Sequence, residues 1–103
     1  MATKHSELKE AIFRKYGADP RLRLWNNVTG DFVTLWGTRI HVGTKGAADI
    51  LGIREDGKLI GIEVKCGTDK LRTEQIAWAN MIRKFNGIVI EAREIQDVER
   101  VFE

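Results

Sequence analysis

Two acidic residues and one lysine of this sequence have the types and the spacing that hydrolytic chemistry requires. Glu63 and Lys65 lie two residues apart at the end of the most apolar stretch of the chain, and Asp49 precedes an apolar run upstream. Convergent carboxylates can hold a hard divalent cation such as Mg²⁺, which leaves coordination positions for water and phosphate. The three side chains therefore predict a site that holds a metal ion and activates water.

The acid-x-lysine pattern is informative only in its setting. It occurs three times, at residues 7–9, 56–58 and 63–65. Only the third occurrence lies in a strongly apolar segment with a second acid upstream, and a charged pair in an interior strand costs desolvation free energy. The alternative is a solvated salt bridge on an edge strand, which contributes about 0–1 kcal/mol. The strand pattern alone leaves both interpretations open.

The predicted elements explain how the two acids would meet. A strand over residues 59–64 puts Glu63 and Lys65 on the same side. An Asp-Gly turn signal at residues 56–57 predicts a hairpin that pairs this strand with an upstream strand opened by Asp49. That pairing would bring Asp49 close to Glu63 at the C-terminal end of the strand.

The rest of the pattern predicts an α/β fold with a small mixed sheet flanked by helices. Helices are predicted over residues 6–16, with Ser6 as the N-cap, over 73–85 and over 95–102. A short apolar strand at residues 88–90 follows the second helix, which is long enough to cross over to a parallel strand. Further strands are predicted at residues 23–25, 32–36 and 39–42.

Length and composition indicate one globular domain over residues 1–103. The chain is 43% hydrophobic and 31% charged with a net charge of +2, so the charge alone does not indicate nucleic-acid binding. A lone cysteine, Cys66, and a start without an apolar leader predict a cytoplasmic protein. No apolar run is long enough for a membrane span, and no phosphate-binding glycine loop or zinc-type Cys/His cluster occurs. The tryptophans are expected in the core: Trp25, Trp36 and Trp78.

Five motifs follow one another between residue 7 and about residue 92. They are Glu7, Trp25-Asn26-Asn27-Val28-Thr29-Gly30, Gly46-Ala47-Ala48-Asp49, Ile62-Glu63-Val64-Lys65 and Gln75. In type and order they resemble the VRR-NUC family of the PD-(D/E)-x-K nuclease superfamily, in its small stand-alone phage and bacterial form. One position departs from the family pattern, since Ala48 stands where the family often has a proline. That proline carries no chemistry.

The resemblance implies a restriction-endonuclease-like core and a specific set of metal ligands. Asp49, Glu63 and the carbonyl of Val64 would bind Mg²⁺ or Mn²⁺. Glu7 would complete the acidic cluster from the first helix. Helical geometry does not distinguish Glu7 from Glu10 as this carboxylate, because both lie off the apolar face of the helix.

The resemblance also assigns roles beside the metal. Lys65 would orient or deprotonate the attacking water, and Gln75 would lie next to Lys65 or the scissile phosphate. From spacing alone, Gln75 is either a polar residue heading an apolar stripe, which needs a partner, or an exposed first-turn glutamine. Polar and basic residues around the acidic centre are predicted to bind substrate: Asn26, Asn27, Lys45, Lys70 and Arg72.

Together these patterns predict a metal-dependent DNA endonuclease that hydrolyses phosphodiester bonds. One site cuts one strand, so a homodimer that resolves four-way junctions is expected. The sequence does not identify the dimer face, for which the apolar side of the last helix, with Val98, Val101 and Phe102, is one candidate. The alternatives are a nuclease of single strands, flaps or RNA, and a non-catalytic nucleic-acid-binding protein on the same fold.

Overall fold

The computed structural model describes residues 3–103 and has helices on both sides of a small β-sheet. Residues 1 and 2, which belong to the stretch expected to lack a leader, lie outside the described residues. The elements are, in chain order, α1 (Lys4–Tyr16), β1 (Leu22–Asn26), β2 (Gly30–Val33), β3 (Arg39–Val42), β4 (Ile50–Arg54), β5 (Leu59–Val64), α2 (Thr73–Lys84), β6 (Ile88–Ala92) and α3 (Ile95–Phe102).

The main sheet is mixed, which confirms the predicted fold class. Its strand order is β1-β4-β5-β6. β4 is antiparallel to both β1 and β5, whereas β6 is parallel to β5 after the crossover through α2. The Asp-Gly hairpin between β4 and β5 and the parallel strand after α2 are therefore both confirmed. The remaining strands, β2 and β3, form a separate two-stranded sheet.

The central strand β5 divides the interior into two packed layers. Ile60, Ile62 and Val64 are buried in one core with residues of α1 and α3. On the opposite side, Trp78 of α2 packs over Gly61, and a methyl group on Gly61 would come within 2.6 Å of the indole ring. Because side chains alternate along a strand, Glu63 points to the α2 side together with Gly61.

The start of α1 differs from the sequence prediction. The side chain of Thr3, rather than Ser6, caps α1 by accepting a hydrogen bond from the Ser6 N–H at 3.1 Å. This cap moves the start of the helix to Lys4 and places His5 in the first turn. Helix α2 begins at Thr73, as predicted, and its N-cap is Arg72. Within residues 3–103, no helix combines the length and apolar character that a membrane crossing requires.

Two expectations about apolar surfaces are wrong. Val98 and Phe102 are buried in the protein's own core, where the Phe102 ring packs edge-on against Tyr16, so α3 does not offer an apolar dimer face. Of the three tryptophans only Trp78 is buried, whereas Trp25 is half exposed and Trp36 is 82% exposed. Trp36 lies between β2 and β3, outside both layers of the main core.

Candidate active site

Asp49 and Glu63 lie side by side on neighbouring strands. β4 and β5 pair with Ile50 opposite Ile62, so Asp49 comes opposite Glu63 one step beyond. The backbone N–H of Val64 donates to Oδ2 of Asp49 at 2.9 Å. The two carboxyl groups are close enough for the charge of Asp49 to raise the pKa of Glu63. The hairpin therefore brings together the two acids that the sequence singled out.

Gln75 holds the Glu63 carboxylate in place. Its amide Nε2 donates to Oε1 of Glu63 at 2.9 Å, and both residues are buried. The other end of the amide, Oε1, accepts the Arg72 backbone N–H at 2.8 Å at the start of α2. Gln75 thus links the helix start to the acidic centre. Its partner is Glu63, whereas the resemblance implied Lys65 or the phosphate.

The carboxyl group of Glu63 ionises less readily than an ordinary glutamate. Burial, and next the charge of Asp49, raises the pKa of Glu63 to about 7. The ammonium of Lys65 opposes this rise, with its Nζ 3.8 Å from Oε1 of Glu63. A divalent cation between the two carboxyl groups would favour the ionised form of both. The raised pKa therefore fits a site built around a cation.

The burial of Glu63 comes from an apolar cleft between β5 and α2. Ala48, Leu71 and Trp78 line this cleft together with Glu63 and Gln75. Apolar walls remove water from one side of the carboxylate, which penalises its charged form. The Asp49 side chain is 29% exposed, so the pair is open to solvent from the other side.

The segment before Asp49 is fixed by backbone contacts. The side-chain amide of Asn27 donates to the Ala48 carbonyl at 3.0 Å, and the Asn27 N–H donates to the Asp49 carbonyl at 2.8 Å. Gly46 has φ +84°, and a methyl group there would lie 2.2 Å from the carbonyl oxygen of Glu74 in α2. Asn27, predicted to bind substrate, therefore supports the backbone that presents Asp49.

The first helix contributes a histidine to the centre. Nε2 of His5 lies 3.3 Å from Oδ2 of Asp49. His5 lies on the same face of α1 as Leu8 and the buried Ile12, three and seven residues later. Sequence analysis missed His5 because it started the helix after this residue. Recognising Thr3 as the N-cap would have placed His5 in the first turn of α1.

Glu7, the carboxylate expected from α1, lies on another side of the helix. It is exposed, and no side-chain hydrogen bond or ion pair of residues 3–103 joins it to Asp49 or Glu63. Two residues correspond to a rotation of about 200° around a helix, so α1 cannot present both His5 and Glu7 to the sheet. Glu10 is also exposed.

Arg93 supports the loop that follows Lys65. Its guanidinium donates to the carbonyls of Gly67 and Asp69 and to the carboxylate of Glu91. The Lys65 N–H donates to the Ala92 carbonyl at 2.9 Å. Parallel strands end at the same edge of a sheet, so a residue just after β6 lies beside the residue just after β5. That relation is a signal from which sequence analysis could have found Arg93.

The predicted substrate-binding residues lie around this centre rather than in it. Lys45 and Arg72 line a groove between the base of the β2–β3 sheet and the start of α2, together with Glu74, whose carboxylate is 3.7 Å from the Arg72 guanidinium. Gly46 lines both this groove and the cleft beside Glu63. The other two predicted residues are exposed: Asn26 and Lys70.

The donor set fits a hard divalent cation. Among residues 3–103, no group of three or more His, Cys, Asp and Glu side chains is arranged to hold a metal ion. Mg²⁺, however, commonly binds through one or two carboxylates and keeps its other positions for water and phosphate. In a strand, the N–H and C=O of one residue face the same neighbour, so the Val64 carbonyl also faces the Asp49 side.

Comparison with known proteins does not assign this chain to a family. No family model matches the chain, and no curated protein matches it. What the chain does is therefore inferred from the neighbouring carboxyl groups of Asp49 and the buried Glu63, from Lys65 beside them and from the residues that hold them.

Proposed function

We propose that this protein is a metal-dependent endonuclease with a restriction-endonuclease-like core, of the VRR-NUC type within the PD-(D/E)-x-K nucleases. The observation that carries the proposal is the pair formed by the half-buried Asp49 and the buried Glu63, with Lys65 beside it. Such a group on the central strands of a sheet, with a raised pKa on one carboxyl, is typical of sites that bind or transform a ligand.

Asp49 and Glu63 would hold Mg²⁺ or Mn²⁺, with the Val64 carbonyl as a third protein ligand. When bound, the ion supplies a positive charge and an activated water. Oδ2 of Asp49 already accepts from the Val64 N–H and lies against His5, so Oδ1 is the oxygen that would bind the ion. Gln75 keeps the Glu63 carboxylate from turning away, because both ends of its amide are hydrogen-bonded.

Lys65 would act on the attacking water and on the phosphate. Its side chain is 14% exposed, so its ammonium is partly removed from solvent next to the carboxylates. From this position the ammonium group would orient the water, and it would offset the charge that develops on the phosphoryl oxygens during in-line attack. Hydrolysis of the P–O bond then releases one strand end with the phosphate and one with a hydroxyl.

DNA is the proposed substrate, and branched DNA such as a four-way junction the preferred form. The groove lined by Lys45 and Arg72 adjoins the cleft beside Glu63 through Gly46, and it would hold the phosphates of a strand that enters the site. One chain has one such centre, so cutting two strands would require a homodimer.

Metal binding separates this proposal from a non-catalytic nucleic-acid-binding protein. Added Mn²⁺ should raise the Tm of the wild type, by roughly 10 °C at a hundredfold excess over Kd. Asp49→Ala should lose this shift, whereas Glu55→Gln, an exposed carboxylate in the β4–β5 turn, should keep it. A wild-type Tm that does not respond to Mn²⁺ or Mg²⁺ would remove the basis for catalysis.

The preferred substrate is tested with end-labelled single-stranded, duplex, flap and four-way-junction DNA, and with RNA of matched sequence. Each is incubated with the wild type in Mg²⁺, Mn²⁺ or EDTA. Fastest cutting of the four-way junction supports the resolvase form of the proposal. Fastest cutting of single strands, flaps or RNA replaces that form with the corresponding nuclease, and binding without cutting in either metal refutes the enzyme.

A further inference from the structure

The strands β2 and β3 form an amphipathic hairpin outside the main sheet. Their register puts Phe32 opposite Ile40 and Gly30 opposite Val42, so these apolar side chains share one face. The other face carries Asp31 opposite His41, whose side chains are 2.9 Å apart, and Val33 opposite Arg39. The hairpin thus has the alternation of a sheet with one buried face.

Within residues 3–103, much of that apolar face is left uncovered. Phe32, Ile40 and Val42 are each exposed by about two-fifths, and at the tip Leu35 is fully exposed and Trp36 is 82% exposed. The helices of the described chain pack on strands of the main sheet and on one another. The uncovered side chains belong to a single continuous segment, residues 30–42.

A hairpin of this size needs a covering surface. Two-stranded hairpins are marginally stable in water on their own, and a third strand or a packed layer is what stabilises them. The radius of gyration is 14.4 Å, compared with about 13 Å expected for a compact domain of this length. This difference is what a projecting hairpin produces.

We propose that a second copy of this chain covers the apolar face and tip of the hairpin. From their exposures, the apolar side chains of the hairpin leave on the order of 500–800 Å² open, which approaches the area that each partner buries in a standard interface. Monomeric proteins seldom expose so large an apolar patch. The aromatic residues Phe32 and Trp36 at its centre and tip are of the type that anchors interfaces.

The charge of the hairpin favours a protein partner over a nucleic acid. Residues 30–42 contain one aspartate and one arginine, so their formal charge is zero with neutral His41. A surface that binds phosphates carries an excess of lysine and arginine. A two-fold contact between identical apolar faces, in contrast, needs no net charge.

The test is the mass of the protein in solution at micromolar concentration, by sedimentation equilibrium without metal or DNA. The wild type should have the mass of two chains. Leu35→Asp combined with Trp36→Asp at the tip, and separately Ile40→Lys on the apolar face, should give one chain. Phe85→Asp is the matched control, because Phe85 is 73% exposed at the end of α2 on the body of the domain. It should remain two chains.

A wild type with the mass of one chain would overturn the proposal, and so would hairpin variants that stay dimeric. A monomer that binds fluorescently labelled oligonucleotides, with loss of this binding in the tip variant, would make the hairpin a nucleic-acid contact instead. Far-UV circular dichroism checks that each variant is folded, and two independent hairpin variants guard against the misfolding of one. The measurement is independent of nuclease activity, so either proposal can fail alone.

Discussion

Replacing Glu63 by glutamine should stabilise the metal-free protein at alkaline pH. The pKa of Glu63 is raised from an ordinary value of 4.5 to about 7, mainly by burial and next by Asp49. The folded protein therefore holds this proton more tightly than the unfolded chain does. Stability from this group is complete below pH 4.5 and is lost as the pH rises to about 7. Above that pH, the ionised carboxylate costs at most about 3 kcal/mol.

Glu63→Gln removes the charge but keeps an oxygen that accepts from Gln75. At about pH 8 the variant should gain about 1–3 kcal/mol, less than the full penalty because Lys65 loses its ionic partner. Near pH 5 the gain should be much smaller, since most wild-type Glu63 is then protonated. Urea unfolding followed by tryptophan fluorescence in EDTA, at the two pH values, measures this difference.

With metal bound, the wild type should become more stable than Glu63→Gln. Mg²⁺ or Mn²⁺ should stabilise the wild type, by about 3 kcal/mol at a hundredfold excess over Kd, and should not stabilise Glu63→Gln. Glu55→Gln is the control, because its carboxylate is exposed: it should not gain stability in EDTA at pH 8, and metal should stabilise it as much as the wild type. A Glu63→Gln variant that is less stable than the wild type at both pH values in EDTA would refute the reasoning about the buried charge pair.

Three further substitutions test the residues that hold the pair. Gln75→Leu leaves buried groups without partners and should cost about 1–3 kcal/mol in urea unfolding, and an unchanged stability would contradict the contact with Glu63. Gly46→Ala should destabilise more than Gly57→Ala, since both have positive φ but only the first meets a carbonyl oxygen; equal losses would argue against the close packing on α2. His5→Ala should weaken Mn²⁺ binding measured by calorimetry several-fold, and His5→Gln should restore part of it. Equal affinities would exclude His5 as a positioning residue.

The pairing of Asp49 with Glu63 was predictable because its cause is local. The Asp-Gly turn fixes the register of β4 against β5, and a register with period two decides which face each side chain takes. The same alternation put Glu63 and Gly61 on the side that α2 covers. The apolar run at residues 59–64 also gave the bounds of β5.

The contacts that the helices make were harder to predict from the sequence, because they depend on how each helix is rotated about its own axis. A cap at Thr3 rather than Ser6 decides that His5 belongs to the helix and faces the sheet, whereas Glu7 faces solvent. The partner of Gln75 depends on how far α2 lies along β5, which no local pattern encodes. Glu7 as a metal ligand stays a prediction from resemblance that no contact of the described residues supports.

The β2–β3 hairpin shows a second feature that the sequence could not predict, namely what covers an apolar face. Its alternation predicts strands, but an apolar face has the same sequence pattern whether the chain itself or a partner covers it. Strand prediction at residues 39–42 was accurate, whereas the preceding strand begins at Gly30 and ends at Val33, before the exposed tip. Trp36 was expected in the core because tryptophan is a large apolar residue, but it lies on the surface.

The most direct test of the central claim is hydrolysis of labelled four-way-junction DNA by the wild type, Lys65→Ala and Lys58→Ala. Lys58 is an exposed lysine in the β4–β5 turn and serves as the control. The account predicts metal-dependent cleavage that Lys65→Ala slows a hundredfold or more and Lys58→Ala leaves unchanged. Cleavage in EDTA, or a Lys65→Ala variant as fast as the wild type, would contradict it.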